Sequence, residues 1–117
     1  MTMPLRSITA AIVVAAAVSA LTSPASAASF SCMGYEDLND AEQTVCSNQR
    51  IGALDERLDS WYRRALVRAG YFEQTEWLRA EQREWLQDRN ACGAHVGCLN
   101  RIYRTRIRAL RNYVEHV

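Results

Sequence analysis

The chain has 117 residues, with 14 basic and 13 acidic side chains, and every basic residue is arginine. That length leaves room for one domain, and the near-neutral charge excludes a polycation that binds nucleic acid through bulk charge. Four cysteines in so short a chain point to an oxidising compartment, where an even number reads as disulfide bridges.

Residues 1–27 have the anatomy of a secretory signal. Arg6 supplies a positive charge, an apolar run extends from Ile8 to Leu21, and Pro24-Ala25-Ser26-Ala27 offers small residues for cleavage after Ala27. The apolar run is shorter than the roughly 20 residues a membrane-spanning helix needs, so no membrane span is expected. Removing residues 1–27 leaves 90, which read as one domain over 28–117 with 13 arginines against 13 acids. A chain of this size buries only about 60–65% of its unfolded surface, and bridges are a common supplement to so small a core.

The rest of the chain has helical spacing and no convincing strand. Asn39-Asp40-Ala41-Glu42 has the form of a capping box and predicts a short helix running to about Cys46. A long helix should follow from Ser47 or Asn48, on a stripe of Ile51, Leu54, Leu58, Tyr62, Ala65, Leu66 and Ala69, with Gly70 as its stop. Thr75 is the expected cap of a third helix, whose Leu78, Gln82, Trp85, Leu86 and Arg89 share a face until Asn90 and Gly93 break it. A fourth helix should begin near His95 and turn Val96, Leu99, Ile102, Tyr103, Ile107, Leu110 and Val114 inward. Four cysteines allow three pairings, of which the sequence-local one, Cys32 with Cys46 and Cys92 with Cys98, is expected. The predicted fold is all-α, a small disulfide-braced bundle of three to four antiparallel helices.

Residues able to carry chemistry are few. A zinc site needs four convergent ligands; His95 and His116 are the histidines, and the cysteines should be oxidised, so neither metal nor other cofactor is expected. Glu81, Glu84 and Asp88 lie on one helix, whereas a glycosidase needs two carboxyl groups facing each other across a cleft. They read as solvating charges paired with nearby arginines. Charge is unevenly placed: residues 36–59 hold seven acids against Arg50 and Arg57, and residues 101–111 hold five arginines and no acid. The basic run reads as a solvated face or as an arginine-lined contact for a partner protein, not as a nucleic-acid site. Trp61, Trp77, Trp85, Tyr62 and Tyr103 are packing residues by default, with two of them at most as candidates for an exposed anchor.

Several of these residues carry a resemblance. Phe30-Ser31-Cys32, Ala41-Glu42 before Cys46-Ser47, Leu54-Asp55, Tyr62, the run Leu78 to Cys92, and Cys98-Leu99 with Tyr103, Arg106, Ile107 and Leu110 resemble the LprI-type lysozyme inhibitor-like family. The most specific part is Gln82-Arg83-x-Trp85-Leu86-x-x-Arg89-x-x-Cys92 followed by Cys98-Leu99. The resemblance implies a small exported helical domain that acts by binding. Asp55, Gln82, Arg83 and Arg89 are read as polar scaffold or partner contacts, since an arginine fork suits a carboxylate or carbonyl.

The functional expectation is a non-enzymatic periplasmic or secreted protein that binds lysozyme or another muramidase and occludes its cleft sterically. Gly93, His95 and Gly97 in the loop 92–98 are its candidate inhibitory residues. An envelope interaction or structural module with no hydrolase target is the alternative, and an enzyme acting on envelope substrates comes third.

Overall fold

The computed structural model describes residues 2–4, 10–15 and 30–116; most of the expected export signal, with its cut after Ala27, lies outside them. The described residues form helices, turns and irregular segments with no strand among them, and both expected bridges are present, Cys32–Cys46 and Cys92–Cys98.

The chain enters through a 3-10 turn at Tyr35–Asp37, preceded by Gly34 at a φ of 71° that suits glycine. Helix α1, Asp40–Ser47, begins at the predicted capping box: Glu42 N–H donates to Asn39 Oδ1 at 2.9 Å and Asn39 N–H to Glu42 Oε1 at 3.1 Å. Cys46, on the last turn of α1, holds the N-terminal arm through Cys32. Asn48 both closes α1 and opens α2, Gln49–Tyr71, its side chain accepting from the N–H groups of Arg50 and Ile51 at 3.1 Å. One residue thus separates two helices, and its short polar side chain makes that possible by satisfying the first donors of α2.

Two boundaries differ from expectation. Gly70 does not stop α2: the helix runs on to Tyr71, and the chain reverses through Phe72 and Glu73, with Glu73 in the left-handed region at a φ of 56°. Gln74 N–H donates to Ala69 O at 2.8 Å, the six-to-one bond of a Schellman ending. A glycine weakens a helix by about 1 kcal/mol without terminating it. What ended α2 was the left-handed residue, three positions later. Thr75 is the first residue of α3, Thr75–Ala91, and not its cap. The cap position is held by Gln74, whose Oε1 accepts instead from the Tyr113 hydroxyl at 2.7 Å.

Helix α4, Val96–His116, completes the bundle. Helix α3 is antiparallel to α4, as Gln74 meets Tyr113 at one end, Trp85 Nε1–H donates to Ile102 O at 3.3 Å midway, and Cys92 joins Cys98 at the other. Helices α2 and α4 run parallel and make the most extensive contact: Arg50 and Val96 line one depression near their starts, and Arg68 donates to Val114 O at 3.3 Å near their ends. The core is the predicted set of stripes, with Ile51, Leu54, Leu58, Ala65 and Ala69 of α2 meeting Leu78 and Trp85 of α3 and Leu99, Tyr103, Ile107 and Leu110 of α4. Val96, expected inside, is exposed, and so is Trp77.

Candidate functional site

The polar residues singled out in the sequence converge at the middle of the bundle. Asp55 of α2 and Tyr103 of α4 are fully buried, and Arg89 of α3 is 3% exposed. The Tyr103 hydroxyl donates to Asp55 Oδ1 at 2.6 Å, and Arg89 Nη1 lies 3.5 Å from that hydroxyl and 4.0 Å from Asp55 Oδ1. Glu42 of α1 approaches Arg89 Nη2 at 3.9 Å, and Asn90 Oδ1 accepts from Arg89 Nε and Nη2 at 3.2 and 3.0 Å. Every α-helix therefore contributes to one network. The guanidinium also sits 5.4 Å over the ring of Phe30 and 5.9 Å over that of Trp85, and Trp85 meets Tyr103 edge-on at 5.0 Å. Burial first, and the Asp55 carboxylate second, push the Tyr103 hydroxyl well above its ordinary range, so it stays a donor. An acid sealed this deeply meets no substrate; its geometry is that of a clasp.

Gln82 is buried beside this clasp, and its Oε1 accepts from Arg106 Nε at 3.0 Å. Burial pulls the Arg106 guanidinium below its ordinary value, and Glu81, 3.5 Å away, opposes the pull. Arg83, by contrast, is exposed. It stands on the rim of a cleft of about 410 Å³ whose walls include Phe30, Glu42, Tyr62, Gln82 and Arg89. The structure thus brings Asp55, Gln82 and Arg89 into the interior and leaves Arg83 at the surface.

The loop at residues 92–98 is folded onto itself. Gly93 takes a φ of 56°, and His95 Nδ1 accepts from Cys98 N–H at 3.0 Å, so the imidazole caps the start of α4. A Cβ on Gly97 would lie 3.2 Å from His95 Cε1, which ties the lack of a side chain at Gly97 to the position of that ring. All three candidate loop residues thus have local work in a tight, bridged turn.

The opposite end of the bundle carries a feature that sequence reading caught only in part, through Trp77 as one of several candidate anchors. Where α2 turns into α3, Tyr71 is 83%, Phe72 55% and Trp77 49% exposed, with Val67 beside them on α2. Arg68 places its guanidinium 5.2 Å over Phe72, and Trp77 packs against Tyr113 at 5.7 Å. Register gives part of the signal, since Tyr71 sits two positions off Ala69 and Trp77 one off Leu78; Phe72, three after Ala69 and seven after Ala65, keeps the stripe's register and gives none. Aromatic content alone conceals it, because large rings pack inside by default.

Among the described residues no group of three or more His, Cys, Asp or Glu side chains is placed to hold a metal ion, and no helix is long and apolar enough to cross a membrane. What these features define is a small all-α protein, bridged at its entry and at its last turn and clasped by a buried polar network. The family model for the lysozyme inhibitor LprI matches residues 32–110, and the chain belongs to that family. No curated protein and no solved structure matches it.

Proposed function

We propose that this protein is exported, with cleavage near Ala27, and acts without catalysis as an inhibitor of lysozyme-like muramidases by filling the enzyme's cleft. The observation that carries the reading is the family match over residues 32–110, which spans both bridges and all four helices up to Leu110. The bridges suit an oxidising compartment outside the cytoplasm. The carboxylates argue for binding over turnover: Asp55 is sealed in the core, while Glu81, Glu84 and Asp88 lie along one side of α3.

The contact surface we assign is the α2–α3 end. It projects Tyr71 and Phe72 beside Trp77, and exposed aromatic side chains with an adjacent arginine make the anchors of protein interfaces. The 92–98 loop is the weaker contact because the Nδ1 of His95 already accepts from the backbone.

The test is lysis of a muramidase-sensitive cell suspension by lysozyme, titrated with the oxidised protein, with a reduced and alkylated control, and with Phe72→Ala/Trp77→Ala. Saturable protection by the oxidised wild type, weakened at least tenfold by the double substitution and absent after reduction, is the expected result. No protection across several lysozyme types would overturn the inhibitor reading and favour an envelope interaction module. Protection that survives the double substitution but falls with His95→Ala would move the contact to the 92–98 loop.

A further inference from the structure

The fold segregates charge more sharply than the sequence does. Along one side of the parallel α2–α4 pair, two depressions of about 630 and 260 Å³ share Leu54, Arg57 and Arg104 and so form one groove. Arg50 and Arg57 of α2, two helical turns apart, stand on one bank; Arg104, Arg108 and Arg111 of α4, at steps of four and three, stand on the other. No acidic residue lines either part. None of these five arginines lies within 4.0 Å of a described carboxylate, and among them Arg104 alone has a side-chain hydrogen bond, donating to Asn100 Oδ1 at 3.1 Å. Elsewhere on the surface Arg63 pairs with Asp59 and Arg79 with Glu76, while Arg83 and Arg101 stand singly among the described residues; what sets the five apart is that they are gathered along one groove.

Five guanidinium groups in two facing rows, with apolar Leu54 and Ile107 between them, repel one another unless an anion lies in the groove. From Val96 to Arg111 the groove follows about 22 Å of α4. We propose that it binds an extended phosphodiester chain. Planar guanidinium forks match phosphate oxygens, and a chain that carries its charge in its own backbone reaches both banks at once. The apolar floor selects against an extended acidic peptide, whose N–H and C=O groups would lose water there without gaining partners. Whole-chain neutrality does not bear on the matter once the arginines are gathered on one face.

Two phosphodiester probes distinguish the source of such a chain: oligodeoxythymidylate, which has bases, and polyglycerol phosphate, which has none. Binding followed by fluorescence anisotropy should be seen with one or both at low salt. With five contacts it should weaken about 100-fold between roughly 50 and 200 mM salt, against about sevenfold for Arg57→Gln/Arg104→Gln/Arg108→Gln, which keeps two. Binding of both probes assigns the shared phosphate backbone; binding of the oligonucleotide alone assigns nucleic acid; binding of polyglycerol phosphate alone assigns a base-free polymer. The triple variant should keep the wild-type melting temperature and the wild-type titration against lysozyme, which separates this site from the aromatic end. Failure of both probes at low salt, or a triple variant that keeps the wild-type affinity and the wild-type salt dependence, would overturn the proposal. So would equal affinity for polyglutamate or for vesicles of anionic phospholipid.

Discussion

Tyr103 is the residue on which the interior turns. Its ring packs against Trp85 and its hydroxyl satisfies Asp55, so one side chain serves both the apolar core and the clasp. Replacing it by phenylalanine keeps the ring and removes the donor, leaving a buried carboxylate short of a partner. We expect a loss of about 1–3 kcal/mol in denaturant unfolding. The hydroxyl also predicts a pH dependence with a definite sign. Its folded-state value lies above the ordinary 10.0, so the unfolded chain releases this proton first. The contribution to stability is therefore complete below about pH 10 and is lost as pH climbs beyond it. Midpoints measured from pH 8 upward should fall more steeply for the wild type than for Tyr103→Phe; parallel curves would show that the buried proton is not the cause. Arg89 is the other half of the clasp. Arg89→Met leaves Asp55 and Glu42 without its charge, and about 3–5 kcal/mol should be lost, a thermal shift that circular dichroism reads directly.

At the scale of helices, the ends depart furthest from the sequence reading and give the sharpest tests. The apolar stripes of α2, α3 and α4 were legible because burial on one face imposes a period near 3.6, and the capping box of α1 was legible because both partners lie within four residues. Both bridges were legible from the short spacing of the cysteines. The turn from α2 to α3 was not, since the left-handed position fell on Glu73 although Gly70 stood nearby. Nor was the pairing of Tyr103 with Asp55, which joins residues 48 apart and depends on how α2 and α4 are aligned. The family resemblance marked Asp55, Gln82, Arg83 and Arg89 together, but only packing separates the three buried residues from the exposed Arg83. Glu73→Gly removes the left-handed penalty at the turn and should raise stability by about 0.5–1 kcal/mol, less than the full 1–2 because glycine is freer when unfolded. An unchanged or lower melting temperature would mean that the Glu73 side chain contributes more than its backbone costs. At the other end of α3, His95→Ala deletes the acceptor for Cys98 N–H and should cost about 1 kcal/mol, with faster amide exchange confined to the first turn of α4.

The whole molecule depends on its two bridges unequally. The chain after the expected cleavage has 90 residues, and domains of that size are stable by roughly 5–14 kcal/mol. The Cys32–Cys46 bridge spans a sequence separation of 14 and constrains the unfolded chain by roughly 3 kcal/mol; Cys92–Cys98, with a separation of 6, contributes roughly 2.4. Losing both removes a third or more of such a margin. Their structural consequences differ as well. Cys32 lies two residues after Phe30, whose ring covers the Arg89 guanidinium, so opening the first bridge frees the arm that covers the clasp. Opening the second loosens a turn that the His95 cap and α3–α4 packing still hold. Cys32→Ser/Cys46→Ser should therefore lower the melting temperature more than Cys92→Ser/Cys98→Ser, and should speed amide exchange around Arg89 and Asp55 as well as near the substitutions. Calorimetry of the two variants, with exchange measured by mass spectrometry, decides it. The reverse order would mean that the α3–α4 turn, and not the arm over the clasp, limits the stability of the bundle.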